Sequence, residues 1–309
     1  MYRIQRTERH RDTARREDSH TAAVRERASD CPALRQNRVL IEGEPLEYLT
    51  FPLLEGTGIV KHLFTTRLGG VSGGEFSAMN LGADRGDRRE NVLENYGRIA
   101  KVLGVEVSDM AASHQTHTTN IRRMTAADRG KGILCQRDYA DVDGMVTDEA
   151  GLVLVTFYAD CVPLYFVDPV HHAVGLAHSG WRGTVGRMGE CMVRAMREQF
   201  ASRPEELYAA IGPSICRDCY EVSEDVAVPF IAMFGEQVAL PGKAPGKYQL
   251  DLWLANELIL RQSGLLPGHI AVTDICTCHN SAYLFSHRAS GGKRGNLAAF
   301  LGLKAREKD

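Results

Sequence analysis

The segment from residue 151 to residue 177 constrains the fold of this chain more than any other part. An apolar run over 151–167 has a single charged interruption, Asp160, and a second apolar run ends at Ala177. The first run is too short for a membrane span. Its valine and aromatic residues are typical of strands buried in a sheet. We therefore expect buried strands on both sides of Asp160.

The dipeptide Asp168-Pro169 separates the two apolar runs and is typical of a turn, because proline fixes φ at the first central position. A hairpin centred directly after Pro169 places Cys161 opposite His178. Directly opposed antiparallel residues have Cβ atoms about 4.5–5.5 Å apart on one face. A thiolate and an imidazole at that distance could share Zn²⁺ or copper. Pro163 cannot donate a ladder hydrogen bond and could shift this register.

A third ligand could come from the segment Ser-His-Gln-Thr-His at 113–117, which contains His114 and His117. A catalytic zinc typically has three protein ligands and one open position. In a strand, these two histidines point to opposite faces, so only one of them would face the site. The residues alone leave open which one it is. They also leave open that Cys161 and the histidines are ordinary core or turn residues.

Strands and helices are expected to intermingle along the rest of the chain. Apolar residues at helical spacing predict helices over 88–103, 184–200, 225–233 and 250–263. Strands are expected at 38–50, 60–66, 111–124, 142–147, 151–158, 173–177, 208–211, 270–275 and 283–286. The order has no strict β-α-β period, which favours a mixed-sheet α+β or α/β fold over a doubly wound one. Since 39–309 contains neither a repeat nor a linker, we expect a single domain there.

Residues 1–38 differ in composition from the rest. They contain ten arginines, no lysine, six acidic residues and few large aliphatics. Such a segment buries too little apolar surface to fold, so we expect a disordered arginine-rich tail before a catalytic domain at 39–309. The formal charge of −2 provides no global field for nucleic acid. The tail lacks the apolar region of an export signal, which favours a cytoplasmic location.

The eight cysteines are expected to be thiols, because disulfide frameworks belong to short secreted chains. Cys216-x-x-Cys219 and Cys276-x-Cys278-His279 could together form a structural zinc site or a redox pair. Fifty-six residues separate Cys219 from Cys276, far more than in a compact zinc ribbon. The sequence therefore leaves this second site open.

Two arginines beside glycine-rich turns are candidates for anion binding. Arg182 lies in Gly-Trp-Arg-Gly at 180–183, before a predicted helix. Backbone N–H groups at such a helix start favour anions, and a guanidinium can hold phosphate or carboxylate. Arg67 precedes Leu-Gly-Gly in a second glycine-rich loop. That loop matches neither a dinucleotide fingerprint nor a P-loop, and its glycines equally fit simple turns.

Several blocks of sequence occur in the order found in the YfiH/laccase-domain family, over about residues 60–303. They include Phe-Thr-Thr-Arg-Leu-Gly-Gly-Val-Ser at 64–72, Gln-Thr-His at 115–117, Asp-Val-Asp-Gly at 141–144, Ala-Asp-Cys-Val-Pro at 159–163, Ala-His-Ser-Gly-Trp-Arg-Gly at 177–183, Cys-Tyr-Glu-Val at 219–222 and Phe-Ser-His-Arg at 285–288. The chain thus resembles this family over most of its length.

The resemblance implies a layered α/β/β/α sandwich and a zinc ion, with copper as the alternative metal. Two histidines and a cysteine hold the metal in the family, and these map to His117, Cys161 and His178. Family members were long labelled multicopper polyphenol oxidases and are now described as purine nucleoside phosphorylases of adenosine, inosine and methylthioadenosine that also deaminate adenosine. Purine nucleoside and phosphate are then the expected partners, without nucleic acid or membrane. Arg67 and Arg182 would bind the phosphate.

Other functions remain as alternatives. One branch resembles a peptidoglycan-editing amidase that acts on a UDP-muramoyl aminoacyl precursor. A copper-dependent polyphenol oxidase and a non-catalytic binding module are less favoured, since a multicopper site needs more histidines than this cluster offers. Asp160 or His287 could move protons. The block at 288–296 reads Arg-Ala-Ser-Gly-Gly-Lys-Arg-Gly-Asn, where the family usually has acidic residues and a final arginine.

Overall fold

Short strands and amphipathic helices alternate along residues 1–7 and 33–304, the part of the chain that the computed structural model describes. The strands are β1 (Arg35–Ile41), β2 (Glu44–Thr50), β3 (Val60–Thr65), β4 (Met110–Ala112), β5 (Ile121–Arg123), β6 (Gly144–Thr147), β7 (Val153–Tyr158), β8 (Val162–Asp168), β9 (Ala173–Ser179), β10 (Tyr208–Ile211), β11 (Glu221–Ser223), β12 (Ala239–Pro241), β13 (Lys247–Leu250), β14 (Ile270–Val272) and β15 (Leu297–Leu303). The helices are α1 (Pro52–Glu55), α2 (Arg89–Leu103), α3 (Trp181–Val185), α4 (Met188–Phe200), α5 (Glu224–Phe234), α6 (Leu252–Gln262) and α7 (His287–Ser290).

Two six-stranded mixed sheets form the centre of the molecule. The first has the order β1-β2-β3-β15-β7-β4 and the second has the order β14-β10-β8-β9-β6-β5. A small sheet, β11-β13-β12, lies beside them. The last strand within the described residues, β15, lies inside the first sheet and pairs antiparallel with both β3 and β7.

Three apolar clusters define the layers. One packs α2 on the first sheet, with Tyr96 and Ile99 in the same cluster as Phe300. A second fills the space between the two sheets and includes Phe64 and Tyr165. The third packs α4, α5 and α6 on the outer face of the second sheet. The order is therefore helix, sheet, sheet, helix, which confirms the expected mixed α/β sandwich in a single domain.

The hairpin of β8 and β9 exists, but its predicted register is wrong. Pro163, not Cys161, lies opposite His178. The loop has four residues, 169–172, because the Asp168 carboxylate accepts the N–H groups of Val170 and His171, each at 2.9 Å. Since the register differs by two residues, and side chains alternate with a period of two, the predicted faces of the strands are unchanged.

The predicted boundary between tail and domain also needs correction. Residues 35–38 belong to β1, and residues 1–7 contact the folded core. Tyr2 stacks on Tyr283 with ring centroids 4.7 Å apart. Arg6 donates to the Asp274 carboxylate at 2.6 Å. The remainder of the predicted tail, 8–32, lies outside the described residues.

Three local predictions differ from the structure. The helix predicted over 184–200 is two helices, α3 and α4, separated at Arg187, which has a left-handed φ of 58°. The strand predicted over 111–124 exists only at its two ends, as β4 and β5. The strand predicted over 283–286 is a turn that leads into α7, whose first turn is capped by the Ser286 hydroxyl accepting from the Ala289 N–H.

Across residues 1–7 and 33–304, none of the helices combines the length and apolarity that crossing a bilayer requires.

His62 on β3 is buried, and it makes stability depend on pH. Its Nε2 accepts the Phe51 N–H at 2.9 Å, and burial lowers the pKa of His62 from 6.5 to about 4. The unfolded chain therefore binds a proton at a higher pH than the folded chain does. We expect the unfolding free energy to fall by about 3 kcal/mol from this group as the pH falls from above 6.5 to 4.

The variant His62→Gln keeps an acceptor for Phe51 without a titrating ring. Urea unfolding at several pH values should show a flatter acid limb for His62→Gln than for the wild-type chain. The exposed His287→Gln serves as the control and should retain the wild-type slope. Identical acid limbs in all three proteins would contradict the assignment.

Candidate metal centre

Three side chains with nitrogen or sulfur donor atoms converge at one end of the strands of the second sheet. His117 lies on the loop between β4 and β5, Cys161 lies between β7 and β8, and His178 lies on β9. Their ligand atoms all lie within 4.8 Å of one another. Cys161 Sγ is 4.0 Å from His117 Nε2, and the two imidazole rings meet edge to face with centroids 4.9 Å apart. The structure thus brings together the three predicted metal ligands.

The loop that carries His117 is irregular, and this decides which histidine faces the cluster. His117 has a left-handed φ of 66°. The Gln115 side chain fixes the start of the loop by donating to the Phe157 carbonyl at 2.8 Å and accepting its N–H at 2.6 Å. His114 is outside the donor cluster, and its Nδ1 accepts the Asp141 N–H at 3.1 Å.

Asp143, directly before β6, holds two of the three donors in place. Its buried carboxylate accepts the backbone N–H groups of Thr116, His117 and Thr118 at 2.9–3.1 Å. One of its oxygens also lies 2.8 Å from His178 Nδ1. With Nδ1 bonded to a carboxylate, His178 presents Nε2 to the cluster, which is the common arrangement of metal-binding histidines.

Asp160 fixes the backbone that leads into Cys161. Its backbone has a φ of 92°, a value that residues other than glycine rarely adopt. Its carboxylate accepts the Thr277 hydroxyl at 2.6 Å and the Arg288 N–H at 2.7 Å, and its carbonyl accepts the Ile215 N–H at 3.0 Å. Both carboxylate oxygens are therefore engaged in holding the chain, so Asp160 acts as a positioning residue for Cys161.

Gly180 leaves the room that a metal ion needs. A Cβ atom at this position would lie 3.0 Å from His117 Cδ2 and 3.1 Å from Cys161 Sγ. These separations are shorter than ordinary van der Waals contacts. The absence of a side chain therefore keeps the donor cluster open on one side.

The three donors and Asp143 form a coupled set of charges. Burial alone would raise the pKa of the Cys161 thiol, but His178 and His117 lower it to about 6. Burial alone would lower the pKa of His178, but the Cys161 thiolate and Asp143 raise it to about 9. Burial opposes ionisation of Asp143, yet its bonds to His178 and to backbone N–H groups lower its pKa to about 2. The cysteine is thus available as a thiolate near neutral pH.

One thiolate and two imidazoles, with a carboxylate behind one histidine, fit a catalytic zinc or copper site with an open position. The residues that would hold the metal are His117, Cys161 and His178. A cavity of about 350 Å³ borders all three of them. This volume is in the range of small-molecule sites.

The cavity has a positive lining. Of the described residues that border it, three are arginines, Arg85, Arg137 and Arg294, and Asp84 alone is acidic. Among the described residues, the Nε atoms of Arg137 and Arg294 are buried and have no hydrogen-bond acceptor. Burial and the charge of Arg85 lower the pKa of Arg294 to about 10, so its guanidinium remains charged at neutral pH. Guanidinium groups that border a cavity favour an anionic ligand there.

The two predicted anion-binding arginines lie elsewhere. Arg67 donates to the carbonyls of Ser77 and Ser281, each at 2.8 Å, and borders a neighbouring cavity. Arg182 is exposed, with its guanidinium 4.4 Å from the centroid of the Trp181 ring. Neither borders the cavity at the metal donors.

Sequence reasoning missed Asp143 and the three cavity arginines. Asp143 lies in the block at 141–144 that supports the family resemblance. Because metal-binding histidines commonly donate to a carboxylate, an aspartate in such a block indicates a partner for one of the ligands. Arg294 lies in the block at 288–296, where a departure from the family pattern was visible. Asn296, which ends that block, accepts from the Arg294 guanidinium. The expected arginine is thus absent at the end of the block, and another is present two residues earlier.

Known proteins match the chain over this whole region. Residues 61–304 match the family described as multi-copper polyphenol oxidoreductase laccase. The purine nucleoside phosphorylase YlmD of Bacillus subtilis is 39% identical over 246 residues, which cover 78% of this chain and 87% of that protein. Adenosine deaminase RL5, from an unknown prokaryotic organism, is 35% identical over 245 residues, which cover 78% of this chain and 92% of that protein.

A solved structure shares the fold. The crystal structure of the hypothetical protein YfiH of Bacillus licheniformis superposes with a TM-score of 0.79 at 34% identity, covering 83% of this chain and 96% of that one. Sequence and structure agree, and the chain belongs to the multi-copper polyphenol oxidoreductase laccase family, the laccase-domain family that includes YfiH and YlmD.

Proposed function

We propose that this protein is a zinc-dependent purine nucleoside phosphorylase that acts on adenosine, inosine and methylthioadenosine. The observation that carries the proposal is a single cavity bordered by a thiolate-imidazole donor cluster and by Arg85, Arg137 and Arg294. Phosphorolysis needs a bound phosphate and a bound nucleoside in one cavity. The name of the Bacillus subtilis relative supports this substrate class.

In phosphorolysis, a phosphate oxygen forms a bond to the anomeric carbon of the ribose. The bond from that carbon to the purine nitrogen breaks, and its electron pair leaves with the base, which takes up a proton. Arg85, Arg137 and Arg294 would hold the phosphate through the positive charge that their guanidinium groups place at the cavity wall. Phe157 supplies apolar surface for the base in the same cavity. When bound at His117, Cys161 and His178, the metal supplies Lewis-acid activation of an oxygen nucleophile.

Zinc fits this reaction because neither phosphorolysis nor deamination changes an oxidation state. Copper takes the same donor atoms, and oxidation of polyphenols would require it. Loading the protein with each metal and measuring turnover of nucleoside and of a phenol in air separates these two activities.

Adenosine deamination is a second activity that the same cavity supports. The relative RL5 is named as an adenosine deaminase. Here water adds at C6 of the purine, the bond from C6 to the amino nitrogen breaks, and ammonia leaves. This reaction needs no phosphate, so the two activities differ in their requirement for it.

A mass-spectrometric screen of zinc-loaded protein with and without phosphate tests the function. We expect adenosine to give adenine and ribose 1-phosphate only with phosphate, and to give inosine in either condition. Hydrolysis of a UDP-muramoyl aminoacyl precursor would instead show the amidase. Binding of nucleoside without any product would show a non-catalytic module. Absence of base release from all three nucleosides with phosphate present would refute the proposal.

Arg294→Met tests the phosphate site, because methionine keeps the apolar stem and removes the charge. We expect the KM for phosphate to rise about tenfold to a hundredfold, the loss of one charge-assisted contact. The KM for adenosine in deamination should change little. Arg88→Met, in which 78% of the arginine side chain is exposed, is the matched control. An unchanged phosphate KM in Arg294→Met would show that phosphate binds elsewhere.

A further inference from the structure

A second cluster of donor atoms lies on two loops at one end of the second sheet. Cys216 and Cys219 follow β10, and Cys276 and His279 follow β14. These two strands pair in parallel, so both loops leave the sheet at the same end. A further bridge joins Ser214 to Cys276. Parallel pairing thus brings together residues that are far apart in sequence.

The four donor atoms lie close enough together for one metal ion to be shared among them after small side-chain movements. All of them lie within 4.8 Å of one another. Cys216 Sγ is 3.8 Å from His279 Nδ1. Tetrahedral zinc, with bonds of about 2.3 Å to sulfur and about 2.0 Å to nitrogen, holds such a pair about 3.6 Å apart. The separation is therefore already close to that of two ligands of one ion.

The surroundings of the sulfurs also suit a metal. The Cys216 N–H donates to Cys276 Sγ at 3.3 Å. The Cys216 side chain and burial raise the pKa of Cys276, so a thiolate at this position needs a cation beside it. Cys216 and Cys276 are buried, whereas His279 is exposed. A disulfide between two of these cysteines would leave at least one other thiol and the histidine without a role. Four protein donors instead complete a tetrahedron, which is typical of structural zinc.

We propose that Cys216, Cys219, Cys276 and His279 bind a structural Zn²⁺ ion, separate from the ion at Cys161. This ion joins the two loops that hold Asp160. The Ile215 N–H donates to the Asp160 carbonyl, and the Thr277 hydroxyl donates to its carboxylate. The second site therefore supports the backbone that carries Cys161, without itself bordering the cavity.

Metal content of the full-length protein, purified in the presence of reductant and zinc, tests the proposal independently of any activity. We expect two zinc ions per chain in the wild type and one in each of Cys161→Ala and Cys219→Ser. The exposed Cys135→Ser, outside both clusters, should keep two. Cys219→His retains a nitrogen ligand and should restore the second ion if Cys219→Ser folds poorly.

Cobalt substitution identifies the ligands. Cobalt-loaded Cys161→Ala retains only the site with three thiolates, and cobalt-loaded Cys219→Ser with Cys276→Ser retains only the site with one. We expect the thiolate-to-cobalt absorption to be about three times stronger in the first protein. A folded Cys161→Ala that contains no metal overturns the proposal. A disulfide among Cys216, Cys219 and Cys276 in the purified protein, seen as the loss of two hydrogens by mass, overturns it as well.

Discussion

Replacement of Cys161 by alanine is expected to remove one metal ion per chain and to abolish turnover. Cys161 supplies the thiolate among the three donors, and His178 and His117 lower its pKa to about 6. Without it, two histidines remain, which hold zinc or copper much more weakly than three ligands do. We expect phosphate-dependent release of adenine to fall by a factor on the order of 10³, as loss of Lewis-acid activation implies.

Metal analysis and an assay of adenine release measure the two effects on the same preparation. Cys191→Ala is the matched control, because Cys191 is half-buried and lies outside both donor clusters. It should keep both the metal content and the rate. If Cys161→Ala is folded and retains the wild-type metal content and rate, then the metal centre is not where the donors converge.

Removal of the Asp143 carboxylate is expected to weaken both the fold and the metal site. This group is fully buried and accepts three backbone N–H groups, the Thr118 hydroxyl and a contact from His178. Asp143→Ala leaves these donors without an acceptor and leaves His178 without its charge partner. We expect the unfolding free energy to fall by about 3–5 kcal/mol and the metal affinity to fall by about tenfold to a hundredfold.

The variants Asp143→Asn and Asp141→Asn form a matched pair. Asp141 is two residues away, exposed, and accepts the Thr116 hydroxyl at 2.8 Å. Asparagine tolerates its left-handed φ of 54°. Asp141→Asn should change the unfolding free energy by less than about 1 kcal/mol. In Asp143→Asn, both the unfolding free energy and the metal affinity should fall by most of the amounts expected for Asp143→Ala. Urea unfolding and titration with a competing chelator measure both quantities. Equal effects in the two asparagine variants would show that Asp143 has no special role.

The stabilisation that Asp143 gives to the wild-type chain also depends on pH. The folded pKa of Asp143, about 2, is below its ordinary value of 3.8. The unfolded chain therefore takes up this proton first as the solution is acidified. The contribution of Asp143 is present above pH 3.8 and is lost as the pH falls toward 2. His178 has the opposite sign, because its raised pKa makes its contribution largest at low pH.

The sequence pattern predicted which segments are buried strands and helices better than it predicted their details, and the layering came from the family resemblance. Buried strands over 151–177 and helices at α2, α5 and α6 follow from apolar spacing, which local burial enforces. The register of β8 and β9 depends on how the Asp168 side chain closes the loop. That interaction is not part of the turn pattern of Asp168-Pro169. An error of two residues nevertheless left Cys161 and His178 on the expected face.

The candidate site was predicted by two routes. The expected hairpin brought Cys161 and His178 together, whereas His117 was selected over His114 by the family resemblance alone. Long arginine side chains are different, because their direction depends on which distant carbonyls they meet. Arg67 is engaged by the carbonyls of two serines, while Arg294 borders the cavity at the metal donors. Neither arrangement follows from the spacing of residues along the chain.

The position of β15 inside the first sheet has a consequence for synthesis of the protein. On the ribosome, β3 and β7 emerge long before the strand that pairs with both of them. Until then, each presents an unpaired edge that can bind another chain. Premature termination anywhere before Leu297 leaves both edges open, so such fragments should aggregate rather than form a smaller folded unit. The first sheet is thus complete only once the residues of β15 have been synthesised.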